Sequence, residues 1–280
     1  MSPSDRAEGM ARLRRAIEAI EARASGGAEP RVEMLLSLGR ALDRALGGGL
    51  TCDGLHEIAP AAPADGPAAM GFALSLAARR LADRRTTGLI VIEDFAARDM
   101  GELYGPGLAA HGLDLDRLVF VRAPDAPTAL QAMEEGLRSG APAFVLGELW
   151  RLKSYDLSAS RRLLLSARAG ATPALLLLAS AYGAAETLSS AAETRFEIAA
   201  APSAHEAAAG GRGLPGRPSF TARIVKARLS AGRGPPVGLD TTRTIRLVWR
   251  SEDQSFDEPA FSLSVAAAAD DGPRPARIPR

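Results

Sequence analysis

Between Leu55 and Ala179 short apolar runs alternate with amphipathic stretches, and that rhythm leaves few folds open. Leu55–Ala59, Leu89–Ile92, Leu118–Val121, Ala143–Leu146 and Ala174–Ala179 read as strands. The last of these is apolar throughout, as a strand buried on both faces must be. Pro67–Ala82 reads as a helix, with Met70, Leu74, Ala77, Ala78 and Leu81 on one face and proline at its start. Ala96–Leu103, Ala126–Arg138 and Ser158–Ala169 read as further helices, Ser158 serving as the N-cap of the last. Strand and helix in turn predict an α/β fold with a mostly parallel central sheet flanked by helices. Such folds bind ligands beyond the carboxyl ends of their strands. Those ends hold Pro60–Gly66, Glu93-Asp94, Arg122–Asp125 and Gly147–Lys153.

On either side of this region the pattern changes. Residues 1–30 form an N-terminal unit, a helix and linker, in which Met10, Leu13, Ile17 and Ile20 make an apolar stripe among charged neighbours. The stripe packs on its own domain or docks on a partner. After Ala179 come a short strand, Glu193–Ala200, and two alternating strands, Phe220–Leu229 and Thr242–Trp249. A Gly/Pro-rich loop near 207–218 separates them from the rest. Residues 31–250 are thus the core, and 251–280 an acidic, proline-rich tail expected to be disordered at its end.

Composition excludes several kinds of chemistry. Of 34 basic residues only Lys153 and Lys226 are lysines, and neither follows a glycine. A phosphate-binding P-loop needs lysine directly after its last glycine, so none of the usual kind exists here. One cysteine, Cys52, and three scattered histidines, His56, His111 and His205, exclude an internal disulfide and offer no metal-ligand spacing. No metal or cofactor is expected. The longest uncharged run, Ala169–Ala185, has 17 residues and is broken by proline and glycine, too short to span a bilayer. With a polar N-terminus, the expected location is the bacterial cytoplasm.

Charge is concentrated late in the chain. Between Gly211 and Arg250 nine basic residues, Arg223, Lys226, Arg228, Arg243 and Arg246 among them, face one acid, Asp240. The whole chain carries only +1. The block reads either as a footprint for nucleic acid or as the solvent face of a β-hairpin.

Ala41–Pro60, ALDRALGGGLTCDGLHEIAP, resembles the segment of RecA-family recombinases that leads into their first core strand. Gly112–Leu118, GLDLDRL, resembles the segment before their third strand, and Arg223–Lys226 a late strand of the same proteins. The resemblance implies a RecA-like core. At the P-loop position, however, stand Pro60, Pro63, Asp65 and Gly66, without the lysine or hydroxyl residue. The prolines remove amide donors, and Asp65 brings negative charge where a triphosphate would sit. A degenerate P-loop of this kind implies no ATPase activity and no catalytic residues. Glu93, Asp94 and Glu148 then read as acids at a sheet edge that cap helices or pair with arginines.

With Gly54–Ile58 (GLHEI) and Ala192–Ser203 (AETRFEIAAAPS), the chain resembles the ImuA family, RecA-related components of an inducible bacterial mutagenesis cassette. That resemblance implies a non-catalytic adaptor in SOS-induced translesion DNA synthesis. Its partners would be an inactive Y-family polymerase homologue of the ImuB type, an error-prone polymerase III α-subunit, and RecA. By the same resemblance the stripe Met10, Leu13, Ile17 and Ile20 would be the partner contact. Single-stranded DNA would lie on Trp150, Arg151 and Lys153, with Tyr155 beside them, since aromatic and cationic groups together suit stacking and phosphate contact; Trp150 and Tyr155 read alternatively as residues packed on the core. Two further readings stand beside it: a RecA-family ATPase with an atypical nucleotide site, and a cell-division inhibitor of the SulA type.

Overall fold

The computed structural model describes residues 35–203, 216–228 and 240–258. The stripe at Met10–Ile20, most of the 207–218 loop and the end of the tail lie outside them.

The sheet begins where the first apolar run predicts. β3 (Leu55–Pro60), β4 (Gly88–Glu93), β5 (Leu118–Ala123), β6 (Val145–Leu149), β7 (Ala174–Leu178) and β8 (Thr194–Ala200) run parallel in the order β8-β3-β7-β6-β4-β5. β9 (Ser219–Ala227), β10 (Thr244–Arg250) and β11 (Ser255–Asp257) add antiparallel beyond β8, making nine strands. The expectation of a mostly parallel sheet flanked by helices holds. β11 lies in the stretch read as tail, so the sheet continues past Arg250.

Which face each helix covers follows from the direction the chain takes. From β3 it moves toward β4 and β5; from β5 it returns through β6 and β7 to β8. Right-handed crossovers in opposite directions place their helices on opposite faces. α2 (Gly66–Ala82), α3 (Asp94–Met100) and α4 (Gly105–Ala110) accordingly share one core with Ile58, Ile90, Ile92 and Leu146, and α1 (Arg40–Ala45) joins them through Leu42. α5 (Ala126–Ser139) and α6 (Leu157–Gly170) share the other with Leu55, Val91, Val145 and Leu176. On the α2 side the antiparallel strands supply Phe220, Trp249 and Phe256. Phe72 of α2 sits between Phe196, Phe220 and Phe256 at centroid distances of 5.4, 6.0 and 5.6 Å.

Some local expectations needed correction. The N-cap of α6 is Asp156, whose carboxylate accepts from the Ala159 amide at 2.7 Å, not Ser158. Both residues are good caps, and the one whose oxygen reaches the third helical amide wins. α3 starts two residues before the expected Ala96 and ends at Met100. α4 went unread because Gly105-Pro106-Gly107 has the composition of a loop; proline in its first turn costs no hydrogen bond.

The glycine cluster has a conformational reason. Gly47, Gly48 and Gly49 all have positive φ, and they turn the chain between α1 and β2 (Leu50–Thr51), which pairs with β1 (Leu35–Leu36). A Cβ at Gly49 would collide with the Leu36 carbonyl oxygen. Gly49→Ala is therefore expected to cost about 1–3 kcal/mol, read as a lowered midpoint in urea unfolding.

Candidate functional site

The loop leaving β3 leads to α2 on one face and the loop leaving β7 packs on the other, so the carboxyl ends of these neighbouring strands form a switch point, where folds of this class bind ligands. The turn after β3 is already tied down by the chain itself. Pro63–Asp65 form a single 3₁₀ turn leading into α2. The Asp65 carboxylate accepts from the Ala62 amide at 3.0 Å and from the Ala200 amide, at the end of β8, at 2.9 Å. Ala61 donates its amide to the Ile198 carbonyl at 2.8 Å. Two of the amides that follow β3, those of Ala61 and Ala62, are thus taken, the second by a carboxylate.

Glu93 and Glu148 stand at the same end of the sheet, on the adjacent strands β4 and β6. Glu93 occupies the N-cap position of α3, but its side chain makes no capping hydrogen bond and bonds no arginine side chain. One of its oxygens accepts from the backbone amides of Trp150 and Arg151, at 2.9 and 3.1 Å. The other is buried with no hydrogen-bond partner. Glu148 is 5% exposed. Burial, reinforced by the neighbouring Glu93 charge, pushes its carboxyl up to about 7.

Glu93 thereby fixes the loop after β6. Trp150 packs against Phe95 of α3 at 5.7 Å, and the Arg151 guanidinium lies 4.8 Å from the centre of the same ring. Arg151 and Lys153 are exposed and Trp150 is partly so. Of the two readings of Tyr155, core or stacking aromatic, the structure takes the first: it is buried against the α5–α6 core.

Tyr155 belongs instead to a polar cluster that sequence reading missed. Its hydroxyl donates to Glu57, which is fully buried on β3. Glu57 stands directly opposite Arg195 of β8, 2% exposed, whose Nε donates to it at 2.5 Å. The rest of the guanidinium donates to the carbonyls of Ala185 and Leu188 and to the Ser190 hydroxyl, at 2.6, 2.9 and 2.9 Å. Lys226 stands opposite Arg195 on β9 and donates to the Ser190 carbonyl at 2.7 Å. Burial draws its ammonium down to about 8. Beside the row lies a cleft of about 240 Å³ lined by Ser189, Ser190, Lys226 and Arg228. The available signal was a strand in which Arg195 and Glu197 alternate with Phe196 and Ile198; Phe95 of the loop cluster gave none.

The basic block resolves into a hairpin. Arg223 and Arg246 share the face of β9–β10 that turns away from the aromatic core. Arg223 is held by Glu186 at 2.6 Å and Glu197 at 2.9 Å, and Arg246 donates to the Pro202 carbonyl at 2.6 Å. Arg228 and Arg243 are exposed. Pro60 is buried at the end of β3 and Gly66 is buried at the start of α2, while Pro63 is exposed and Asp65 half-buried. Among the described residues no group of acids, histidines and cysteines is placed to hold a metal ion, and no helix is long and apolar enough to cross a membrane.

No protein-family model matches the chain. Two curated relatives from strains of Caulobacter vibrioides, each described as protein ImuA, are 32% identical to it over 165 residues. The match covers 56% of this chain and 64% of the relatives, so the chain spans a little under two thirds of their length. Among solved structures, SulA from Pseudomonas aeruginosa is 22% identical, with a TM-score of 0.35, over 44% of this chain and 96% of that one.

Proposed function

We propose that this chain, whose membership of the ImuA family the curated relatives support, is a non-catalytic RecA-like adaptor in DNA-damage-induced, error-prone translesion synthesis. The observation that carries the reading is the turn after β3. A nucleotide's phosphates need free amide donors and a lysine at such a turn. Here the Asp65 carboxylate holds the Ala62 and Ala200 amides, Pro63 has no amide to offer, and neither lysine of the chain lies nearby in sequence. An anion placed there would meet a carboxylate. With the positioning and charge neutralisation of phosphoryl transfer gone, the core serves through its surfaces. The turn is then a degenerate P-loop, and the chain from residue 31 through β11 a RecA-like core between an N-terminal docking unit and a short tail, acting in the cytoplasm.

The partners in this reading are an ImuB-type inactive polymerase homologue, an error-prone polymerase III α-subunit and RecA. The apolar stripe Met10, Leu13, Ile17 and Ile20 makes the contact. Mixing the purified chain with each partner and measuring complex formation by size-exclusion chromatography tests this. A complex is expected with at least one, and Leu13→Glu with Ile17→Glu is expected to abolish it while the circular dichroism spectrum is unchanged. Absence of a complex with all three contradicts the reading.

Single-stranded DNA is the further ligand. Trp150, Arg151 and Lys153 offer a partly open ring and two cations on a loop that Glu93 holds still. Arg151→Ala with Lys153→Ala is expected to weaken binding and to lower the slope of log K against log salt by about 1.4, for two phosphate contacts on a single strand. An unchanged slope removes this loop from the interface. Of the basic block, Arg228 and Arg243 are the residues a strand would reach; Arg223, Lys226 and Arg246 already have partners.

A further inference from the structure

One crossover of the parallel sheet differs from the rest. From β3 through β7 each connection carries a helix, whereas residues 179–193 pass from β7 to β8 without one. Crossovers between parallel strands usually contain a helix, and that helix covers the sheet. Here the polar cleft beside the Glu57–Arg195 row opens between this bare connection and the end of β9. Ser189 and Ser190 line it from the connection, and Lys226 and Arg228 from β9 and the residue just past it.

The cleft holds positive charge that the chain leaves unbalanced. Arg195 is paired with Glu57, and the one acid of the lining, Glu186, with Arg223, which Glu197 shares. The Glu193 carboxylate, on the nearest part of the connection, is bonded by Thr51 and Arg168. Arg228 meets Glu193 only through its own amide, which donates to the Glu193 carbonyl at 2.6 Å. Lys226 and Arg228 therefore have no carboxylate partner among the described residues. Lys226 directs two donors to Ser190, at 2.7 Å to the carbonyl and 3.3 Å to the hydroxyl, and an ammonium has a third. Its charge is disfavoured by burial and by repulsion from Arg228 and Arg195, against the attraction of Glu57. An anion in the cleft offsets that penalty. Further donors stand alongside: the hydroxyl and amide of Ser189 and the amide of Ser190 donate to no other group among the described residues.

Size and charge select the ligand. About 240 Å³ is below the about 300–1,000 Å³ of pockets that take drug-sized molecules, and too small for a whole nucleotide. Two unbalanced cations match a dianion, whereas a carboxylate or a backbone diester carries a single charge. A terminal phosphate brings nearly two charges and three strong acceptor oxygens. We propose that this cleft binds a phosphate dianion, free or as the end group of a small monoester, held by the Lys226 ammonium, the Arg228 guanidinium and the Ser189 hydroxyl. The site is separate from the turn after β3, and it does not depend on the function proposed above.

Isothermal titration calorimetry of the full chain near neutral pH with inorganic phosphate, methyl phosphate, dimethyl phosphate and acetate tests it. The first two should bind, and the tighter of them tells whether the free ion or an ester is the source. Dimethyl phosphate, which has the single charge of a nucleic-acid backbone diester, and acetate should bind at least about tenfold more weakly. Lys226→Gln and Arg228→Gln should each weaken the binding of phosphate at least about tenfold, as each removes a charge-assisted hydrogen bond. Arg228 is exposed, so its replacement keeps the fold, which circular dichroism checks. Arg85→Gln, at an exposed cation outside the cleft, should leave binding unchanged. No binding of either inorganic or methyl phosphate overturns the proposal. So does dimethyl phosphate binding as tightly as methyl phosphate, or a folded Arg228→Gln variant that binds phosphate as the parent does.

Discussion

Replacing Arg195 with methionine is expected to cost about 3–5 kcal/mol, a large share of the stability of an ordinary domain. The side chain is almost fully enclosed, and every one of its partners is buried or nearly so. Its removal strands the Glu57 carboxylate among the apolar side chains of β3 and α6. It also leaves the carbonyls of Ala185 and Leu188 without a donor. The cost comes from what remains charged and unpaired, more than from any large net gain the pair itself makes. The triple replacement Arg195→Met, Glu57→Leu, Tyr155→Phe should accordingly recover much of the loss, because no charge or hydroxyl is then left without a partner. Urea unfolding followed by circular dichroism checks both statements. A single change costing under about 1 kcal/mol, or a triple variant worse than the single, would show that the cluster is not coupled in this way.

The second large effect has the opposite sign. Glu148→Gln should stabilise the protein by about 3 kcal/mol at pH 8 and by little near pH 4.5. The carboxyl of Glu148 is raised from an ordinary 4.5 to about 7 by burial and by Glu93. The folded chain therefore holds the proton more tightly than the unfolded chain does. Stability from this group is intact below pH 4.5 and is lost as pH rises toward 7, after which the penalty is constant. Glutamine has the shape of the protonated acid and never ionises, so the variant removes the slope in that window. Parallel unfolding curves for the two proteins from pH 5 to pH 8 would contradict the assignment.

These two residues also show what a sequence can and cannot disclose. The parallel sheet was legible because buried strands such as Ala174–Leu178 are apolar from end to end, and the helices because their stripes repeat at helical spacing. Glu57 was visible as a residue of a matched segment. That it is neutralised by Arg195 was not, since the two are 138 residues apart and meet only through the pairing of β3 with β8. Glu93 was read as a helix cap or an arginine partner. It holds two backbone amides instead, and backbone donors leave no mark in a sequence. Tyr155 could be read as a stacking aromatic or as core, and a 3₁₀ turn over Leu152–Ser154 carries it into the core. Asp65 fared better. Its charge alone argued against a phosphate, and its hydrogen bonds to the Ala62 and Ala200 amides supply the structural reason it is there.

The central claim is that this fold works without nucleotide turnover, and phosphate release measures it most directly. The purified chain should be assayed with ATP and magnesium, alone and then with single-stranded DNA and the ImuB-type partner. The account predicts no release above the protein-free background under any of these conditions, and no change on Glu93→Gln. Release above background that Glu93→Gln abolishes would contradict it.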